Sequence, residues 1–332
     1  MHSPVKRGTV ALLGTVCLDE IRRPGEKPKY GFGGLFYSVV SLAQLLDKDS
    51  IIFPVCKVGA LDHPKISEQF SRYRSVDLHK VVSYPGHNNR VLLEYYSRDE
   101  RIEYSTFLPA PYTIGELLPL PDVRCFMVNF ISGIEMRVNT FAALRRRLKV
   151  PVFVDLHSLF LGFKKNGQRF YRIRRDWSRW HVSGDIVQMN ENEAFILSGT
   201  VRNAPTGLNR MLRKKKNNHH REFDRKSFGR YLLDRGARVV IITRGTAGSH
   251  VFWRGSRRNF DKELPAYLFG GHAEPTGCGD VFSAGYIAKS LDGADPPEAA
   301  DFAAQVAGMR AAQSGSAELH QLRSHLRKHN IV

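Results

Sequence analysis

Apolar residues recur along the chain in short β-branched runs, most of them followed by a stretch with helical spacing. The runs at 10–14, 51–55, 124–128, 152–155, 185–189 and 239–243 predict strands. Helical patterns fill 35–46, 64–73, 136–148, 191–198, 223–235, 279–291 and 297–313. Continuous apolar strands separated by helices predict an α/β fold, with a mostly parallel central sheet covered on both faces. No internal repeat interrupts the alternation.

One region departs from it. Asn89-Arg90-Val91-Leu92-Leu93-Glu94-Tyr95-Tyr96, a polar turn at 97–100, and Arg101-Ile102-Glu103-Tyr104 read as a β-hairpin. A hairpin placed there joins the main sheet with difficulty, so a small inserted β-lid over a cleft is expected within 81–107. Residues 202–222, carrying Arg213-Lys214-Lys215-Lys216 and His219-His220, read as a basic loop insertion. The whole of 1–332 is expected to be one three-layer domain.

Composition constrains this picture only loosely. Hydrophobic residues at 42% and charged residues at 25% suit a soluble protein with a real core. No run reaches the ~18 apolar residues of a membrane span. The run 9–18 contains Gly14, ends on Asp19-Glu20 and lacks a cleavage site, so it reads as a first strand, and the expected location is cytoplasmic. Cys17, Cys56, Cys125 and Cys278 have no paired spacing, and the first three sit in apolar runs as buried thiols. The net charge of +18 invites an anionic partner. Its basic clusters are scattered, however, and none is an aromatic-interleaved or zinc-binding nucleic-acid motif.

Three motifs carry chemistry. In Glu274-Pro275-Thr276-Gly277-Cys278-Gly279-Asp280, two glycines flank a small residue before an apolar helix. Amides converging at that helix start suit a phosphoryl group, and Asp280 beside them suits proton acceptance; a plain loop with a helix cap is the competing reading. In Met189-Asn190-Glu191-Asn192-Glu193, Asn190 and Glu193 stand one turn apart after a strand. They suit magnesium held through water, and equally a capping box. In Thr243-Arg244-Gly245-Thr246-Ala247-Gly248, the Thr243 hydroxyl and Gly245 amide suit nucleotide phosphates, with Arg244 adding charge; a plain turn into the next strand competes.

Their order, Gly33-Gly34, then N-x-x-E, T-x-G-x-x-G and T-G-x-G-D, resembles the ribokinase-like (PfkB) carbohydrate kinase family over about residues 9–315. The resemblance implies ATP as donor and a sugar or sugar-like hydroxyl as acceptor. It makes Asp280 the base and Gly277, Cys278 and Gly279 the anion hole. Asn190 and Glu193 would organise Mg2+, and Thr243, Gly245, Gly248 and Ala304 would contact the nucleotide. Asp19 falls at the sugar-binding carboxylate position, and Gly33 and Gly34 where the backbone approaches substrate. Family members often bind K+ beside the anion hole, and Glu274 and Thr276 stand at two of the relevant positions.

Departures concern the acceptor. Ser38 stands where many sugar kinases carry Asn, which puts a typical ribose or fructose substrate in doubt. Asn129 and Arg90 are further substrate candidates, and Asp155 a supporting acid. His157, Trp177 and Trp180 read as structural. Cys278 substitutes for Ala, with an acidified thiol at the helix start as the alternative. A nucleoside kinase of the same family competes, with Tyr95, Tyr96 and Tyr104 to stack a base. So does a regulator or nucleic-acid binder that kept the fold, which the +18 charge favours and the intact motifs oppose. The resemblance also allows a homodimer through the lid.

Overall fold

The computed structural model describes residues 8–96, 100–172, 174, 176, 178–181, 184–198, 223–270, 274–313 and 315–332. The insertion expected at 202–222, the hairpin turn at 97–99 and Trp177 lie outside the described residues.

Among the described residues a nine-stranded sheet forms the middle layer. Six neighbouring strands are parallel, in the order β4 (Ile52–Gly59), β1 (Val10–Leu13), β8 (Cys125–Asn129), β9 (Val152–Asp155), β12 (Ile186–Asn190) and β13 (Val239–Thr243). A short parallel strand β5 (Val81–Tyr84) borders β4. The antiparallel pair β14 (Ser249–Arg254) and β15 (Asn259–Leu264) borders β13.

The central strands are buried on both sides, as their unbroken apolar runs require. Alternate residues feed opposite cores. Val10 and Leu12 pack with the helices Leu35–Leu45, Cys278–Leu291 and Pro296–Ala311. Ala11 and Leu13 pack on the other face, with Val138–Arg147, Glu191–Ser198 and Arg225–Asp234. Trp180 is fully buried against Phe130 and Phe141 in that second core, a packing role as expected.

The sequence pattern missed where the first strand ends. At Gly14 the chain leaves the sheet, in a space where a Cβ would stand 3.0 Å from the Asn129 carbonyl oxygen. It resumes as β2 (Val16–Arg22), which pairs with β3 (Lys29–Gly34), β6 (Arg90–Tyr95) and through it β7 (Arg101–Thr106). The hairpin therefore belongs to a four-stranded sheet of order β3-β2-β6-β7. An isolated hairpin is marginal in water, and β2 gives this one a hydrophobic face. Cys17, Ile21, Val91, Leu93, Tyr95 and Ile131 form its separate small core. Among the described residues no helix is long and apolar enough to cross a membrane.

Candidate active site

Helix Cys278–Leu291 begins where the sheet's carboxyl edge opens, and its start is built for close approach. Gly277, its N-cap, has φ 81°, and a Cβ there would meet the Tyr37 ring at 2.7 Å. That left-handed conformation favours glycine. Gly279 differs: it lies within the helix, and beyond its own turn a Cβ on it would meet none of the described residues within 4 Å. The Cys278 N–H already donates to the Pro275 carbonyl at 3.2 Å. Among the described residues, the first-turn amides left without a backbone acceptor therefore begin at Gly279. The Cys278 thiol donates to the Glu274 carbonyl, and burial pushes it up to about 11. Burial, with the Glu274 and Asp280 carboxylates, works against the acidified-thiol alternative.

Asp280 follows in the first turn, 9% exposed. The Asn129 side-chain amide donates to its Oδ1 at 2.7 Å. Burial raises this carboxyl above the usual range, against the opposing pull of His157, Asn129 and Arg310. Asp155, at the end of β9, ties the neighbouring elements together. Its Oδ2 accepts from Gln188 Nε2 at 2.9 Å and from the Ser283 hydroxyl at 3.0 Å. Gln188 also donates to the Gly279 carbonyl at 3.1 Å, fixing the glycine of the cradle to β12.

Asn190 and Glu193 form a reciprocal cap. The Asn190 amide and side-chain amide donate to Glu193 at 2.8 and 2.6 Å, while the Glu193 amide donates to Asn190 Oδ1 at 2.9 Å. His157 Nδ1 stands 3.8 Å from Glu193 Oε1. This histidine, expected to be structural, instead lines the cavity with its side chain 42% exposed and its backbone at φ 27°. A non-glycine residue there is strained and is held by its surroundings; its N–H donates to Asp155 Oδ1 at 3.2 Å. Burial works to lower its pKa, but Glu193, Asp280 and Asp155 outweigh it and push it up to about 9.

These groups face one cavity of about 440 Å³. Thr276, Gly277, Cys278, Gly279 and Asp280 line it, as do Asn190 and Glu193. Thr243, Gly245 and Gly248 join them, as does Ala304 on helix Pro296–Ala311. A Cβ on Gly245 would again meet nothing within 4 Å. From the small sheet come Asp19 and, at the start of helix Leu35–Leu45, Gly34. Gly33 acts indirectly: a Cβ there would lie 1.9 Å from Asp19 Oδ2, so its bareness makes room for that carboxylate. Burial, then Glu103 and Asp280, raise Asp19 to about 7.

Other expected site residues do not line the cavity. Ser38 is fully buried and donates to the Asp280 carbonyl at 3.3 Å, so it braces the helix start. Asn129 is fully buried and engages Asp280. Arg90 is exposed, with Nη2 3.4 Å from His87, outside the cavity lining. Its place on β6 explains this: the alternation that buries Val91, Leu93 and Tyr95 turns Arg90 outward. Arg244 pairs with Glu263 at 3.1 Å and does not line the cavity. Tyr95, Tyr96 and Tyr104 are also absent from the lining, and Tyr96 is exposed.

Sequence reading missed Arg101, Glu103, Gln188, Tyr37 and Tyr267, all of which line the cavity. The period of two in β7 could have found one pair, because it puts Arg101 and Glu103 on one face.

Asp155 gives a testable pH signature. Its carboxyl, raised to about 7 mainly by burial, holds a proton in the folded protein that the unfolded chain releases near 4. Between those values the folded state binds more protons, so stability falls as pH rises. Asp19 and His157, also raised, act with the same sign, His157 over the window from 6.5 to about 9. Replacing Asp155 with Asn should flatten the fall of melting temperature between pH 5 and about 7. An unchanged slope would exclude Asp155 as a source.

Residues 184–322 match the family model described as pfkB family carbohydrate kinase. A cytidine kinase from Thermococcus kodakarensis is 28% identical over 288 residues, covering 84% of this chain and 87% of the relative. Among solved structures, a pyrophosphate-dependent kinase in the ribokinase family superposes with TM-score 0.72 at 18% identity, covering 96% of this chain and 99% of its own. Arabidopsis thaliana ribokinase, solved with ribose and ATP, superposes with TM-score 0.71 at 18% identity, covering 97% and 98%.

Proposed function

We propose that this chain is a kinase of the PfkB carbohydrate kinase family on a ribokinase-like fold and that it transfers the γ-phosphoryl of ATP to a primary hydroxyl of a sugar or sugar-like molecule. The observation that carries this reading is the convergence of Asp280, the open Gly279 cradle and the buried carboxylate Asp19 on one cavity. Asp280 takes the proton of the acceptor hydroxyl, held toward it by Asn129. Asp19 and Glu103 accept hydrogen bonds from other hydroxyls of the acceptor. Gly277, Cys278 and Gly279 form the turn that meets the transferred group, with the Gly279 amide as its free donor. The bare faces of Gly245 and Gly279 fit phosphate oxygens, and Thr243, Gly248 and Ala304 complete the nucleotide end.

Magnesium, when bound, neutralises charge on the donor phosphates. The Glu193 oxygens are engaged by Asn190 and approached by His157, so this pair fits a hydrated ion held through water. The small sheet carrying Asp19, Arg101 and Glu103 acts as the lid, within one kinase domain spanning the chain.

A nucleoside acceptor is the second reading, favoured by the identity to the cytidine kinase over most of the chain. Its base would meet Val91, Leu93 and Ile131 in place of the lid tyrosines. Free sugars and nucleosides offered with ATP and scored by ADP release decide the acceptor. Turnover on at least one class is expected. No turnover on any acceptor, with salt-dependent nucleic-acid binding, would overturn the proposal in favour of a regulator.

A further inference from the structure

The monovalent cation that the resemblance implies does not fit the residues present. Glu274, its would-be ligand, is already satisfied. Arg23 Nη2 lies 3.1 and 3.3 Å from its two carboxylate oxygens. The Thr276 amide and hydroxyl donate to Oε1 at 3.2 and 2.7 Å, so Oε1 takes three donors. The Arg23 guanidinium also lies 3.9 Å above the Tyr95 ring, and the Arg23 and Glu274 side chains are 17% and 13% exposed. This is a fixed, largely desolvated ion pair at the edge of the anion-hole loop.

A second cation lies nearby, with no ion-pair partner among the described residues. Arg310, on helix Pro296–Ala311, is fully buried. Its Nη1 donates to the Gln313 carbonyl at 3.0 Å and its Nη2 to the Tyr37 hydroxyl at 3.4 Å, and among the described residues its Nε has no partner. Burying a charge with no direct ion-pair partner is costly, so a guanidinium kept there calls for a use. Its surroundings supply one. The Arg310 guanidinium packs 5.1 Å from the centre of the Tyr37 ring, and that same ring lies against Gly277. Arg310 thus stands one aromatic ring behind the anion hole, with Asp280 within its field.

We propose that phosphoryl transfer by this protein requires no monovalent cation, because Arg23 occupies Glu274 and Arg310 supplies the fixed positive charge behind Gly277. The inference rests on the phosphoryl-transfer reading for its kinetic part and on the ion pair alone for its binding part. Arg310 is a positioning residue in this account, acting through Tyr37 and the local field on charge that grows during transfer.

The whole chain is assayed with magnesium and ATP in tetramethylammonium chloride, replaced stepwise by KCl at constant ionic strength. Turnover should change by less than about twofold; activation of about tenfold or more would overturn the proposal, since a required ion contributes at least that much charge stabilisation. In parallel, melting without substrate should be the same in the two salts, and a rise in KCl alone would show a bound ion. Arg23→Ala should free Glu274 and make melting KCl-dependent; no dependence would remove Arg23 as the occupant. Arg310→Met removes a buried charge while keeping bulk, so it should fold. It should lower kcat by about tenfold with acceptor KM unchanged, and Arg310→Lys should recover part of the loss. Equal kcat in Arg310→Met and parent would sink the role of Arg310. Should no acceptor be phosphorylated in either salt, the phosphoryl-transfer reading fails, while the melting comparison still decides whether the ion pair excludes K+.

Discussion

Asp280→Asn is expected to lower turnover by at least the ~10²-fold typical of losing a general base, without loss of stability. The variant keeps an acceptor oxygen for the Asn129 amide, which now donates at 2.7 Å. It also removes a buried carboxyl whose charged form is disfavoured by desolvation. Melting temperature should therefore hold or rise while kcat collapses. Turnover within about tenfold of the parent protein would exclude Asp280 as the base.

The second large effect is expected from Gly279→Ala, and it separates activity from stability more sharply. Gly279 lies in the first turn of a helix, where Ala is favoured over Gly by up to ~1 kcal/mol. Beyond its own turn of helix, no described residue lies within 4 Å of the added methyl, so the fold accepts it. That empty space is the cradle in which the transferred group is proposed to sit. Melting temperature should rise slightly, while turnover should fall by about 10²-fold, the scale of losing one oxyanion-hole contact. Unchanged kcat in a stabilised variant would place the transferred group elsewhere. Gly277 is unsuited to the same test, since its φ of 81° and the Tyr37 ring 2.7 Å away would couple any kinetic change to strain.

Much of the fold was legible in the sequence because burial leaves a periodic trace. The helix at 191–198 and the strands at 152–155 and 239–243 stand where their apolar patterns put them. The motifs, too, sit where strands end and helices begin, so their backbone chemistry follows from local rules about glycine and helix starts. The split of the first apolar run was not legible. Val10 and Val16 are both β-branched, and only pairing assigns one to the central sheet and the other to the small one. The strand β5 has a weak pattern because it is a short edge strand, half-exposed along its length.

Side-chain partners were the larger gap. The residue that grips Asp280 lies 151 positions earlier, and Arg23 reaches Glu274 across 251 positions. No local pattern encodes such distances. Ser38 and Arg90 were placed at the acceptor by analogy of position, yet one packs beneath Asp280 and the other faces outward. In sequence His157 reads as structural, although the meeting of β9 and β12 sets it beside Glu193.

By itself, then, the sequence determined the layered α/β fold, its glycine-built turns and the acid beside them, because these depend on periodicity and backbone conformation. The tertiary structure alone decided which charges meet. In an Arg-rich chain every guanidinium looks alike in sequence, and only packing buries Arg310 behind the anion hole and seats Arg23 on Glu274.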